Sequence, residues 1–244
     1  MIKIVLIRHG QTTFNKKNLF CGWTDADLTP RGRKEALKAG QTLKRKGFKF
    51  DLAFDSFLKR SSKTLALILK EMPGLRPKII KDWRLNERHY GDLQGKSKPE
   101  SVAKFGAKKV LAWRRGYAVR PPQISKSNKF NQSGELKYRG IKVPLAESLK
   151  DVEKRTKACW QELVVPALKQ KKKIIISASG NNLRALIKYL DKLSAAEIAE
   201  INIPTGIPMV YELDNNLKPI KHYYLASRKE LAAAISEVKN QTKR

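Results

Sequence analysis

Short apolar runs separated by longer amphipathic stretches constrain what this chain can fold into. Residues 2–7 (IKIVLI), 51–54, 78–81 and 174–177 have the length of strands and fall far short of the ~18 residues a membrane span requires. Between them lie helical patterns with recognisable ends. Thr29 is an N-cap with Pro30 at the first helical position, and that helix is expected to stop at Gly47. Further helices are expected over 58–71, which stops at Pro73-Gly74, and over 97–113, 149–170 and 181–190. Pro166 should bend or break the helix over 149–170 near its end. Ser194 and Glu197 have capping-box spacing at the start of a short helix. Residues 209–213 and 219–224 read as a hairpin around Asp214-Asn215-Asn216. Strands alternating with helices imply an α/β fold: a doubly wound, mostly parallel sheet flanked by helices. One domain over 1–226 is expected, with an inserted helical and loop segment at 97–145. Within it, 120–143 reads as a long mobile loop, carrying Pro121-Pro122 and scattered Ser, Asn and Gly. Residues 227–244 read as a tail with an alanine-rich helical part and a basic end.

Charge is the second constraint. Against 22 Asp and Glu stand 52 Lys and Arg, a net charge of +30 in 244 residues. Such a field attracts anions: nucleic acid, an acidic membrane surface or a small polyanion. The excess is mostly lysine, 36 against 16 arginines, whereas base readout and bidentate phosphate clamping favour arginine. No zinc finger, RNA-recognition signature or basic heptad region is present. Nucleic acid is therefore not expected as the main partner, and no membrane partner is expected. Residues 96–142 hold 13 of the basic residues and only 2 acidic ones. Cys21 and Cys159 stand far apart, with no metal or redox spacing, and three histidines leave little basis for a zinc site. No secretory signal is evident at the start, so a reduced, cytoplasmic protein without a metal is expected.

The chemistry should sit at strand carboxyl ends, where open α/β sheets form their ligand crevices. Arg8-His9-Gly10 follows the first strand, and Ser177-Ala178-Ser179-Gly180 joins the fourth strand to a helix whose N-terminus could face an anion. A neutral imidazole at His9 is a competent phosphoryl acceptor near pH 7, and Arg8 could neutralise phosphoryl oxygens.

The segments LIRHGQT, FCGWTDADLTPRG, DSFLKRSSKTL, RLNERHYGDLQG, WRRGY, SGNNLRAL and NIPTGIPMVYELD follow one another in the order and spacing of a known family. Together they resemble the bisphosphoglycerate-dependent phosphoglycerate mutases of the histidine phosphatase superfamily. RHG marks the superfamily; RLNERHYGDLQG with WRRGY marks the mutase branch. The resemblance implies that His9 accepts the phosphoryl group and that Arg8, Arg60 and Asn15 form its pocket. It implies Glu87 as general acid and base. Tyr90, Lys98, Arg114 and Arg115 would hold the substrate carboxylate and outer phosphate, and Gly180 and Asn181 the second phosphate-binding loop. The implied reaction interconverts 3-phosphoglycerate and 2-phosphoglycerate in glycolysis and gluconeogenesis. In it, 2,3-bisphosphoglycerate serves as priming cofactor and intermediate, without a metal. Family members are commonly dimers or tetramers, so a homodimer or homotetramer is compatible.

Three positions depart from the family. Ser179 stands where the second active-site histidine is expected, and loss of one such donor typically costs on the order of 10²–10³ in rate. Cys21, in the substrate-contacting loop before Gly22, replaces a usual threonine, and Leu19 replaces a common arginine. A slowed mutase, an engineered substitution and a degenerate homologue all fit Ser179. The alternatives to a mutase are a phosphatase of the same superfamily and a non-catalytic polyanion-binding pseudoenzyme.

Overall fold

A computed structural model of the chain describes residues 1–240. Six strands form one sheet: β1 (Ile2–Arg8), β2 (Leu52–Asp55), β3 (Lys78–Lys81), β4 (Ile174–Ala178), β5 (Met209–Leu213) and β6 (Pro219–Tyr224). Their spatial order is β3-β2-β4-β1-β5-β6. The pairs β3–β2, β2–β4 and β4–β1 are parallel, and β5 runs antiparallel to both β1 and β6. Side chains alternate across a strand, so each central strand feeds two cores. Val5 and Ile7 of β1 and Ile175 of β4 face α2 (Pro30–Arg45), which follows the one-turn α1 (Thr13–Lys16), and α3 (Lys59–Lys70), meeting Leu43, Leu65 and Ile68. Ile4, Leu6, Ile174 and Ile176 point the other way, toward Trp160, Leu168, Leu183 and Leu186. That second layer is built from α6 (Leu149–Cys159), α7 (Val165–Lys169) and α8 (Gly180–Asp191).

Local signals set many of the helix ends. Thr29 accepts from the Gly32 N–H with Pro30 at the first turn, and Ser194 and Glu197 close the expected capping box on α9 (Ala195–Glu200). Two expectations are corrected. The helix expected over 97–113 is split into α4 (Lys98–Phe105) and α5 (Ala107–Arg115) at Gly106, whose φ of +82° ends one helix and starts the next. The bend or break expected at Pro166 is displaced: the α-helical spiral is interrupted from Trp160 onward, ahead of the proline. A π-helical turn at Trp160–Val164 widens the spiral, and Pro166, which has no N–H to donate, sits in the first turn of α7.

The segment expected as a mobile loop over 120–143 is irregular apart from one 3₁₀ turn at Leu136–Tyr138, but it is pinned at several points. Tyr138 packs against Trp23 and Phe57, and its hydroxyl accepts from Asn86. Gln132 is buried and accepts from Gln94, and the Ile124 N–H bonds the Leu145 carbonyl. Near the chain end, α10 (Arg228–Lys239) lies against α2. The Glu237 carboxylate takes both Arg31 Nη groups, at 3.0 and 2.5 Å, and Glu230 pairs with Lys38 at 2.7 Å. The basic end expected of the tail falls in 241–244, outside the described residues.

Candidate active site

Parallel pairing of β1 with β4 sets Arg8 opposite Ala178, which brings the two strand-end segments together. The His9 N–H bonds the Ala178 carbonyl at 3.1 Å. Gly10 then passes beneath the first turn of α2, where a Cβ would lie 2.2 Å from the Gly32 carbonyl oxygen, so no larger residue fits.

His9 is buried with both ring nitrogens assigned. Nδ1 lies 2.8 Å from the Gly10 carbonyl, which can only accept, so Nδ1 carries the proton and Nε2 keeps its lone pair. Arg60 Nε donates to that lone pair at 3.1 Å. Burial, then Arg60 and Arg8, hold the imidazole well below its ordinary pKa, and the Gly10 hydrogen bond only partly offsets them. The ring is therefore neutral at physiological pH, the form that can act as a nucleophile. Arg60 is fixed by two carbonyls of the 22–24 turn, Gly22 at 2.8 Å and Thr24 at 2.9 Å. Gly22 has a φ of +55° and no room for a Cβ, which would lie 2.0 Å from Gln94 Oε1. That same Gln94 oxygen accepts the Trp23 N–H at 2.7 Å, so the turn that orients Arg60 is itself braced.

A cavity opens beside this pair. Of the fourteen residues singled out above, all but His9, Arg60 and Ser179 line it. His9 and Arg60, hydrogen-bonded to each other, adjoin it through Gly22, whose carbonyl accepts from Arg60 Nη2. Glu87 projects into the cavity and stands at the α8 N-terminus, its Oε1 accepting the backbone N–H of Asn181 at 3.1 Å and of Arg88 at 2.8 Å. The helix terminus expected to meet an external anion thus already holds a carboxylate of the chain itself. The Glu87 carbonyl is anchored in turn by Trp23 Nε1 and Arg155 Nη2.

The opposite wall is cationic. Lys98 opens α4; burial first, then Arg114 and Arg8, lower its pKa to about 7. Arg115 is brought to about 10 by burial and by Arg114, and Arg114 is lowered chiefly by burial. Arg115 donates to the Ile201 carbonyl and to Asn202 Oδ1. The Tyr90 hydroxyl accepts from Arg88 and from Asn181 Nδ2, both at 3.1 Å. Burial opposes ionisation of that phenol, but the neighbouring Arg88 and Arg114 help bring its pKa below the ordinary value. Asn15 lines the cavity with its Oδ1 engaged by Thr12, and Cys21 lines it with its thiol pKa raised by burial.

Ser179 is the N-cap of α8, but its buried hydroxyl makes no cap bond and has no partner among the described residues. Arg8 Nε, Arg184 Nε and the Nε and Nη1 of Arg88 are buried and unpartnered in the same way. A buried donor without an acceptor costs about 1–3 kcal/mol, more when charged, so a site holding several is preorganised for an anion. Three contributors were not singled out from sequence. Arg88 bonds Tyr90 and the Arg114 carbonyl. Arg184 donates to Asn181 Oδ1 at 2.8 Å and to the Ile198 carbonyl at 2.6 Å, and burial lowers its pKa to about 9. Their positions inside RLNERHYGDLQG and SGNNLRAL, and the i,i+3 spacing of Asn181 and Arg184, are the signals that could have found them. Val238 of α10, which closes one side of the cavity, has no such signal.

Residues 4–225 match the histidine phosphatase superfamily (branch 1), and the chain belongs to it. Solved structures share the fold. A mycobacterial glucosyl-3-phosphoglycerate phosphatase, in a complex with VO3, is 26% identical with a TM-score of 0.69, covering 93% of this chain and 100% of that one. The alpha-ribazole phosphatase of Shigella flexneri is 21% identical with a TM-score of 0.63, over 90% of this chain and 95% of that one. Bacillus stearothermophilus YhfR is 19% identical with a TM-score of 0.69, over 90% and 94%. The two whose names state an activity are phosphatases, so the resemblance to the mutase branch is narrowed here to the superfamily.

Proposed function

We propose that this protein is a phosphohydrolase acting on a small phosphate ester that carries a second anionic group, through a phosphohistidine at His9. The observation that carries the reading is the neutral His9 ring, with Nδ1 tied to a carbonyl and Nε2 directed at Arg60 beside a cavity walled by cations. In the first step Nε2 attacks phosphorus and the P–O ester bond breaks. The departing oxygen takes a proton through Glu87, the carboxyl group that projects into the cavity. As the N–P bond forms, Nε2 loses its lone pair, and the Arg60 Nε–H turns to a phosphoryl oxygen. In the second step water attacks the phosphohistidine and yields its proton to Glu87, and inorganic phosphate leaves. Phosphoryl transfer depends mostly on positioning and charge stabilisation, which the buried guanidinium groups of Arg8 and Arg60 supply. The relatives with a stated activity support hydrolysis as the overall outcome.

One observation favours a second reading. Lys98, Arg114, Arg115 and Tyr90 form an anion wall separate from His9, with the capacity to retain a second phosphate or carboxylate. A mutase primed by 2,3-bisphosphoglycerate would need such a wall to hold its intermediate while it turns. The test is to add labelled 2,3-bisphosphoglycerate and follow the label. Hydrolysis predicts release as inorganic phosphate. Delivery of the label to 3-phosphoglycerate, with 2-phosphoglycerate formed faster than phosphate, would instead establish the mutase. Absence of both products and of labelled protein would leave only a binding protein.

A further inference from the structure

We propose that the opposite end of the sheet carries a second binding surface, for single-stranded nucleic acid. A groove of about 880 Å³ runs across the amino ends of β1 and β4, beginning at Ile2 and Ile174. The candidate active site lies at the carboxyl ends of the same strands, so the two surfaces are separated by the length of the sheet.

Two lysine-bearing turns wall the groove. Lys46 and Lys49 follow the C-terminus of α2, and Lys171, Lys172 and Lys173 link α7 to β4. Left-handed backbone at Gly47 (φ +72°) and Lys171 (φ +58°) shapes these turns. All five lysines are exposed, and none is within ion-pair distance of a carboxylate among the described residues. The neighbouring acids are otherwise engaged. Asp51 accepts the Lys173 backbone N–H at 2.7 Å, and Glu212 pairs with Lys3 and Lys221. Lysines after a helix C-terminus offset the helix dipole, but that role does not call for five of them facing one groove.

The chemistry of the walls and floor selects the partner. The groove contains no arginine, so it offers compact point charges rather than the planar forks that read base edges. Such a lining suits a phosphodiester backbone without regard to sequence. Its floor is aromatic: Phe48 and Tyr223 are half-buried, and Phe48 stacks at 20° on Phe50, which is buried in the core. Bases splayed from a single strand can stack on the solvent-facing parts of Phe48 and Tyr223, whereas the side chains of an acidic peptide gain little from them. A bilayer is flat and does not enter a concave site.

Salt dependence provides the test. A fluorescein-labelled thymidine 20-mer is titrated with the full-length protein at several salt concentrations, and anisotropy is followed. Five phosphate contacts predict a log–log slope of about −3.5, so affinity should fall about 100-fold between 50 and 200 mM salt. Replacing three contacts in K171Q/K172Q/K173Q should reduce the slope to about −1.4. Unchanged thermal melting and phosphomonoester hydrolysis would show that the variant is folded. F48A should weaken binding with little change in slope. Three results would overturn the proposal. These are no binding by the wild-type protein at 50 mM salt, an unaltered slope in the triple variant, or polyglutamate of equal charge binding as tightly as the oligonucleotide.

Discussion

The two ends of the sheet spend positive charge differently. At the carboxyl end Arg8, Arg60, Arg88, Arg114, Arg155 and Arg184 are all buried, and Lys98 is the one buried lysine among the described residues. At the amino end the groove charges are all lysine and all exposed. A guanidinium can enter a protein interior because its fork meets several acceptors at once. Arg155 illustrates this, donating to the Arg84, Asn86 and Glu87 carbonyls as well as to Glu147. An ammonium has no such geometry, and burial among arginines brings Lys98 down to about 7, whereas Arg115, lowered by the same causes, remains a cation at about 10. The net charge of +30 is therefore not one property. Part of it is fixed, desolvated and aimed at a small anion; part is solvated and open to a long one.

Substitutions should separate the two ends, beginning where the effect is greatest. Glu87→Gln retains the shape of the carboxylate but cannot exchange the proton, so turnover should fall by about 10²–10⁴ in steady-state assays. A loss of less than threefold would remove Glu87 from the chemistry. Glu147→Gln breaks a buried ion pair behind the 84–87 segment, with Arg155 Nε 2.7 Å from Glu147 Oε1. It should cost about 3–5 kcal/mol in denaturant unfolding, because a buried guanidinium is left without its counter-charge. Ser179→Ala discards a hydroxyl that has no partner among the described residues, so unfolding should be unchanged or slightly more difficult. If an anion oxygen satisfies that hydroxyl, turnover should nevertheless fall about tenfold or more.

Lys98 gives the comparison a pH signature. Its lowered pKa means that the cation is present below about 7 and lost above it. Affinity for a dianionic substrate should therefore decline as pH rises through 7, seen in kcat/KM, and Lys98→Arg should abolish that limb. A wild-type profile flat from pH 6 to 9 would contradict the assignment. The smallest effect is expected from K171Q/K172Q/K173Q, which should leave ester hydrolysis unaltered; a change there would mean that the two ends are coupled.

Much of the architecture is written locally. Residues 78–81, 209–213 and 219–224 form strands over the span their apolar pattern indicates, and Thr29-Pro30 and Ser194…Glu197 start helices by direct contacts. The candidate site is legible as motifs because each strand or helix end carries its residues in a compact string. What escapes is pairing across the chain. That Glu87 caps α8, 94 positions away, depends on how two layers dock, and no spacing rule contains it. The same holds for Arg155 beneath residues 84–87, for α10 closing the cavity with Val238, and for the groove walled by two lysine-bearing turns more than 120 positions apart. The loop over 120–143 looks free because its composition is polar, yet its few large residues, Ile124 and Tyr138 among them, are those that anchor it.

The central claim is that His9 forms a covalent phosphohistidine, and rapid-quench labelling tests it most directly. Protein mixed with a ³²P-labelled phosphate monoester and quenched in alkali should carry label that is stable to base and labile to acid. The label should map to the peptide containing His9 and disappear in His9→Asn. Ester turnover without any such label, or label that persists in His9→Asn, would contradict the account.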